Sequence, residues 1–314
     1  MRRYLLRRVA ALAATLFFVS LLVFVVVRVL PGDPALVIMG TEGTPEAVAQ
    51  LRHSLGLDRP LLVQYGEWAG RALRGDLGRS IQYDVPVAGL IVSRLAVTLP
   101  LTLLAAALMV LAAVPLGVHA ATRQRRAGDY LTMILSQIGV AVPGFWAGLL
   151  LILLFSVKLG WFRSGGFDGW GQGIGPALYS LLLPAAALGL FQFAVLARTT
   201  RSAVLEVLRE EYVKTARAKG VAERRVLFRH VLRNALIPIV TIAGIQLGQL
   251  MAGSIILESV FYLPGLGRLA LNAINARDLP VVQGVVLFVA SLIVTINVAV
   301  DVLYGLLDPR IRYE

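Results

Sequence analysis

The chain has 314 residues, 58% of them hydrophobic and only 15% charged, with a formal charge of +12. Ordinary soluble proteins carry about 45–50% apolar and about 25% charged residues, so this composition argues against a soluble enzyme and excludes a disordered chain. Cysteine is absent and the three histidines (His53, His119, His230) stand singly, which removes disulfides and thiol nucleophiles and argues against a histidine-built metal site.

A helix that crosses a bilayer needs ~20 apolar residues. Six stretches reach that length, at about 9–30, 98–121, 132–157, 178–197, 236–257 and 283–307. The first follows Arg2, Arg3, Arg7 and Arg8, as in a signal peptide. It is too long for one, since an h-region spans ~7–15 residues, and no small-x-small cleavage site follows. It reads as an uncleaved anchor. In 31–97, Thr44-Pro45-Glu46 is an N-cap followed by proline at the first helical position. Val48, Leu51 and Leu55 continue at helical spacing to Gly56. A second helix starts at Pro60, puts Leu61, Leu62, Tyr65, Trp68, Ala69 and Leu73 on one stripe, and stops at Gly75. Such helices lie on the bundle or in the headgroup layer, or meet an external partner. The span at 132–157 contains Pro143 and Gly144 and is long enough to tilt.

The segment 198–235 is organised as helix–turn–helix. Val204, Val207, Leu208 and Tyr212 recur at helical spacing, Lys214, Arg217 and Lys219 load the C-terminal end, and Gly220 offers a stop. A second helix, about 222–236, leads into the span with Pro238. Glu206, Glu210, Glu211 and Glu223 share this basic face and few aromatics interleave it, so nucleic acid fits poorly. An anionic lipid surface or a docked protein fits better. The N-terminus, 122–131, 198–235 and 308–314 together carry 19 Lys and Arg, against 10 in 31–97, 158–177 and 258–282. The positive-inside rule therefore places both termini in the cytoplasm.

Catalytic signatures are missing. None of Lys158, Lys214 and Lys219 ends a glycine-rich phosphate loop, and neither His-Glu-x-x-His nor Gly-x-Ser-x-Gly occurs. Asp301 is the single carboxylate inside a span, and an arginine at the cytoplasmic edge is its expected partner. The other polar groups there include Gln137, Gln192, Gln246, Gln249 and Asn297. Gln246 and Gln249 lie three apart on one helical face. Two readings stay open for such groups: hydrogen bonds between helices, or a translocation path.

The chain contains, in this order and spacing, YLLRR (4–8), LPGDPA (30–35), LGLDRPLLVQY (55–65), GDLGRS (75–80), PGFWAGLLLILLF (143–155), TRSAVLEVLREEYVKTARAKG (200–220), VLFRHVLRNALIP (226–238), FYLPGLGRL (261–269), LPVVQG (279–284) and DPRIRY (308–313). Together these segments closely resemble the permease subunits of peptide-type ABC importers (dipeptide, oligopeptide, glutathione and nickel systems), in particular the B-type member of the permease pair. The resemblance covers nearly the whole chain. Residues 198–235 are similar to the EAA loop that docks on the ATPase subunit. Gly220 matches its glycine and Ala216 its second alanine. Lys214 and Thr215 stand where the general pattern has Glu and Ala, and Arg233 where it has Pro, as in the peptide-importer branch.

The resemblance implies an all-α integral membrane protein, a single permease domain over 1–314 with six transmembrane helices, N and C termini cytoplasmic, like a type I importer. It implies an external helical loop at 31–97 and an ATPase-coupling loop at 198–235, with Glu211, Tyr212, Thr215, Ala216, Lys219, Gly220 and Arg224 at the docking surface. Gln246, Gln249 and Asn297 are path candidates. The chain is expected to form half of a pathway that imports di- or oligopeptides by alternating access, in a bacterial cytoplasmic (inner) membrane. Glutathione and nickel chelates are the alternative cargoes, and a self-sufficient secondary transporter the alternative class. The implied partners are a second homologous permease, two cytoplasmic ATPases, an external substrate-binding protein and the lipid bilayer. No nucleic acid is implied, no catalysis in this chain and no cofactor, with ATP and Mg held by the ATPases. The surfaces expected to meet the binding protein are 31–97 and Glu258–Pro280.

Overall fold

The computed structural model describes residues 2–29, 39, 44–54 and 56–307. LPGDPA, Leu55 and DPRIRY lie outside the described residues. Among those described, eleven helices follow one another: α1 Arg2–Val29, α2 Pro45–Ser54, α3 Leu61–Leu73, α4 Val87–Thr122, α5 Ala127–Ala141, α6 Gly144–Lys158, α7 Ile174–Leu208, α8 Glu211–Ala218, α9 Glu223–Val260, α10 Leu266–Asn275 and α11 Leu279–Leu307. Among the described residues the one extended pairing is an isolated bridge between Arg79 and Pro86.

Among the described residues, four helices are long and apolar enough to cross a membrane: α4, α7, α9 and Leu279–Val302 of α11. The apolar part of α1, Ala10–Val26, is shorter. The span expected at 132–157 is not one tilted helix. It breaks into α5 and α6, bent by 108°. Val142 stands extended (φ −86°, ψ 122°) before Pro143, whose ring disfavours a helical conformation in the preceding residue. The bent pair would make a fifth crossing. By contrast, Pro100, Pro115, Pro184 and Pro238 sit inside continuous helices.

The chain forms two compact units. The first comprises Leu6–Val97 and Gly265–Val294. Its core joins Val87 and Ile91 of α4 to Leu266, Leu269 and Ala273 of α10 and to Val281 and Val285 of α11. Gly284 permits this approach, since a Cβ there would stand 2.6 Å from Val87 Cγ1. Asp278 caps α11. Its carboxylate accepts from the Ser80 hydroxyl (2.5 Å) and from the backbone N–H of Gln82 (3.1 Å), and its carbonyl accepts from Val282 (3.0 Å). GDLGRS and LPVVQG, about two hundred positions apart, thus meet at one buried carboxylate. Asp278→Ala removes a cap and strands a buried hydroxyl, so it should lower stability by about 2 kcal/mol. Chemical denaturation in detergent measures this.

The N-terminal helices of this unit form as expected. Thr44 Oγ1 accepts from the Ala47 N–H (3.3 Å), Gly56 adopts φ +65° after α2, and Gly75 adopts φ +82° after α3. The apolar stripe of α3 divides in two. Tyr65 and Trp68 pack on Phe24 of α1, and the Tyr65 hydroxyl bonds Ser20 (2.8 Å). Leu62 and Leu73 stay 84% and 90% exposed. The two halves lie on different flanks because the apolar arc is wider than one helix–helix contact.

The second unit comprises Thr98–Pro264 with the two chain ends. Here α7 packs against α5, α6 and α9. Small residues bring helix backbones together, as expected in lipid, where packing rather than water exclusion drives association. A Cβ on Gly117 would stand 2.7 Å from the Ala197 carbonyl, and one on Gly139 2.8 Å from Ala194 Cβ.

Candidate functional site: the turn between α7 and α9

The apolar part of α7 ends near 197, but the helix runs on to Leu208. Its 35 residues span about 52 Å, against ~30 Å of hydrocarbon. The helix expected to run as one piece toward Gly220 is instead two. Residues up to Leu208 belong to α7, and the break falls at Arg209-Glu210, where Glu210 is extended (φ −64°, ψ 142°). The eight-residue α8 therefore sits directly on the end of a long rod.

Burial holds α8 in place. Val213 is fully buried and Ala216 is 9% exposed, and α8 packs against Val226–Val231 at the start of α9 and against the end of α7. Glu211 in the first turn and Arg217 in the last complement the helix dipole. The helix stops at Gly220, φ +73°, whose N–H donates to the Arg217 carbonyl (2.9 Å), while Val221 N–H closes on Ala216 (3.2 Å). A bidentate bridge then ties α8 to α9: Arg217 Nε and Nη2 donate to Glu223 at 3.0 and 2.5 Å. That carboxylate raises the Arg217 pKa further above its ordinary value. Tyr212 is anchored from the other side, its hydroxyl accepting from the Asn234 amide (2.7 Å).

The expected docking residues fall into two groups. Glu211, Tyr212, Thr215, Lys219, Gly220 and Arg224 are exposed along this one turn. Ala216 faces inward and supports α8 from below. Lys214, where the general pattern has Glu, donates to Glu211 (2.7 Å), so its charge is satisfied within the helix.

The path candidates do not come together. Gln246 is buried and donates to the Gln192 carbonyl across α7 and α9 (3.1 Å), and its own Oε1 is buried without a partner. Gln249 and Asn297 are exposed, and Asp301 is half-buried. Glu258–Pro280 is mixed as a surface, with Leu271, Asn272 and 274–277 exposed. Glu258, Phe261, Leu263 and Leu266 are buried, with Thr98 donating to Glu258 at 2.5 Å, whereas Tyr262 is 67% exposed.

The fold also creates an ion pair between residues far apart in the sequence. Asp129, at the start of α5, accepts from Arg201 of α7 at 2.5 and 2.8 Å and from the Arg125 N–H at 2.9 Å. Both side chains are largely buried. The available signal is an aspartate in a first helical turn, three residues after the last of Arg123, Arg125 and Arg126.

The family described as binding-protein-dependent transport system inner membrane component matches residues 113–313, and its N-terminal companion matches residues 1–102. The chain is 46% identical over 321 residues to the "Putative peptide transport system permease protein" of Brucella abortus (strain 2308), covering all of both. It is 43% identical over 314 residues to the glutathione transport system permease protein GsiC of Escherichia coli (strain K12), again end to end. Its fold resembles a chain of the MetNI methionine ABC transporter in an inward-facing conformation, with a TM-score of 0.57, 22% identity, and coverage of 70% of this chain and 96% of that one. With family matches over nearly its whole length and full-length relatives above 40% identity, the chain belongs to the binding-protein-dependent transport system inner membrane components, as the permease subunit of an ABC importer seated in the inner membrane.

Proposed function

We propose that this chain forms one half of a pathway for di- or oligopeptides and is moved by ATPases that grip the turn 209–224. The observation that carries the coupling reading is the exposed Glu211–Arg224 face mounted on the end of α7, held by buried Val213 and by the Arg217–Glu223 bridge. A push on a short helix fixed at both ends is transmitted; a push on a free loop is absorbed. Both α7 and α9 lead from this turn into the apolar region.

In this reading six spans cross a bacterial inner membrane with both termini in the cytoplasm, following the distribution of Lys and Arg. A second homologous permease completes the pathway, an external binding protein delivers cargo, and two cytoplasmic ATPases hold ATP and Mg. The chain itself does no catalysis and holds no cofactor. The names of the relatives support peptide cargo, with glutathione, itself a tripeptide, as the second reading. The leftover Gln246 acceptor, between two helices in the apolar region, supports a path there. The test is uptake into proteoliposomes carrying the whole transporter. Labelled dipeptide should enter only with both ATP and binding protein present. Uptake by this chain alone, driven by an ion gradient, would sink the proposal.

A further inference from the structure

Beside α8 lies an open cleft of about 540 Å³ lined by Ala121, Thr122, Leu205, Leu208 and four arginines, Arg123, Arg126, Arg209 and Arg217. No carboxylate lines it. Of the acids near it in sequence, one is held away from the cleft and one neutralises a lining arginine, Arg217, which leaves Arg123, Arg126 and Arg209. Asp129 is held by Arg201 and the Arg125 N–H, and Glu223 is occupied by Arg217. No ion pair forms on Arg123, Arg126 or Arg209 among the described residues. The neighbouring cleft shares Gln124, Leu205 and Arg209 and adds Arg201 with three carboxylates, Glu206, Glu210 and Glu211, so the acids gather there and Arg209 stands between the two clefts.

Such a constellation is a receptor for a phosphate group, because guanidinium forks match phosphate oxygens in pairs. Its position selects the source. Thr122 ends α4, Ala127 starts α5, and Leu205 and Leu208 form an apolar wall near the end of α7. A free phosphate has no use for that wall, whereas a lipid has a glycerol and acyl chains to lay against it. We propose that this cleft binds the phosphate of an anionic phospholipid headgroup at the membrane edge, next to the turn that carries the exposed docking face. The site depends on unit geometry alone and stands whether or not the ATPase-coupling reading holds.

The experiment uses the full chain in detergent with added phosphatidylglycerol or phosphatidylcholine, and retained lipid is measured by native mass spectrometry. Wild type should hold one phosphatidylglycerol in preference to phosphatidylcholine. The triple variant R123Q/R126Q/R209Q should hold it roughly a hundredfold more weakly, at about a factor of five per arginine. Because arginines also set topology, R123K/R126K/R209K is the companion: it keeps the charges but loses the forks, and should retain part of the preference. Inorganic phosphate forms the second arm. Displacement of the lipid by millimolar phosphate assigns the site to phosphate but overturns a lipid as its occupant. Equal retention of both lipids, or equal retention by wild type and the glutamine variant, overturns the proposal. So does a glutamine variant that loses only its co-purifying ATPase while its lipid is unchanged, since the cleft would then serve an acidic protein surface.

Discussion

Asp129→Asn should destabilise the protein by about 3 kcal/mol, because breaking a buried ion pair leaves the remaining charge without compensation. Arg201 would keep its place between α5 and α7 facing a neutral amide: one asparagine oxygen replaces the two carboxylate oxygens that now take two bonds from Arg201 and one from the Arg125 N–H, and the amide nitrogen meets the remaining donors. The pair also fixes where the turn 123–126 meets α7, so the effect should spread to the arginine cleft beside it. Denaturant unfolding in detergent measures the loss. Replacing both partners with apolar residues of similar size, Asp129→Leu with Arg201→Met, should recover most of it, as buried pairs are often exchangeable for hydrophobic packing. If the single variant melts like the wild type, the pair is an incidental contact and α5 is held to α7 by the Gly139 contact and its neighbours.

Gly220→Pro should abolish transport while leaving the chain inserted in the membrane. The present turn needs φ +73° and an N–H donated to Arg217. Proline supplies neither, since its ring holds φ near −65° and it lacks the proton. The conflict costs about 3 kcal/mol, which depopulates this turn roughly a hundredfold. Gly220→Ala separates backbone from bulk. No atom lies within 4 Å of the Cβ it would add, so only the strain of a left-handed residue remains, about 1 kcal/mol. Transport should fall modestly in the alanine variant and almost completely in the proline variant, with insertion and yield matched. Equal activity in both would mean that the exposed face does not depend on this turn.

Much of the architecture could be read from residue order. Caps and stops at Thr44, Pro60, Gly75 and Gly220 work locally, through backbone conformations that a single residue type favours, and each appears where the sequence puts it. The helix from about 222 through Pro238 is continuous for the same reason: neighbours tolerate proline in a packed apolar helix. The misses share a cause. Whether Pro143 kinks a helix slightly or ends it depends on whether Val142 goes extended, and packing decides that. Hydropathy marks where α7 leaves the apolar region, but not that the helix continues to Leu208. The amphipathic α10 hides between turn residues in a stretch without a clear start signal. Asp129 and Arg201, 72 positions apart, are two charges among many until the fold brings them together. The residues proposed for coupling stand out in the sequence because they are contiguous. Their division into an exposed face and a buried Ala216 does not, since a short helix has too few turns to reveal which side is covered.

The claim at the centre of this account is that the turn after α7 is gripped by the ATPase. The chain contains no cysteine, so Lys219→Cys introduces a single thiol on the exposed side of that turn. With the whole transporter in native membranes, a thiol-reactive cross-linker at position 219 should join this chain to the ATPase subunit, and the yield should change when ATP is added. Efficient labelling of the thiol with no adduct to the ATPase in either state, or an adduct to the external binding protein instead, would contradict it.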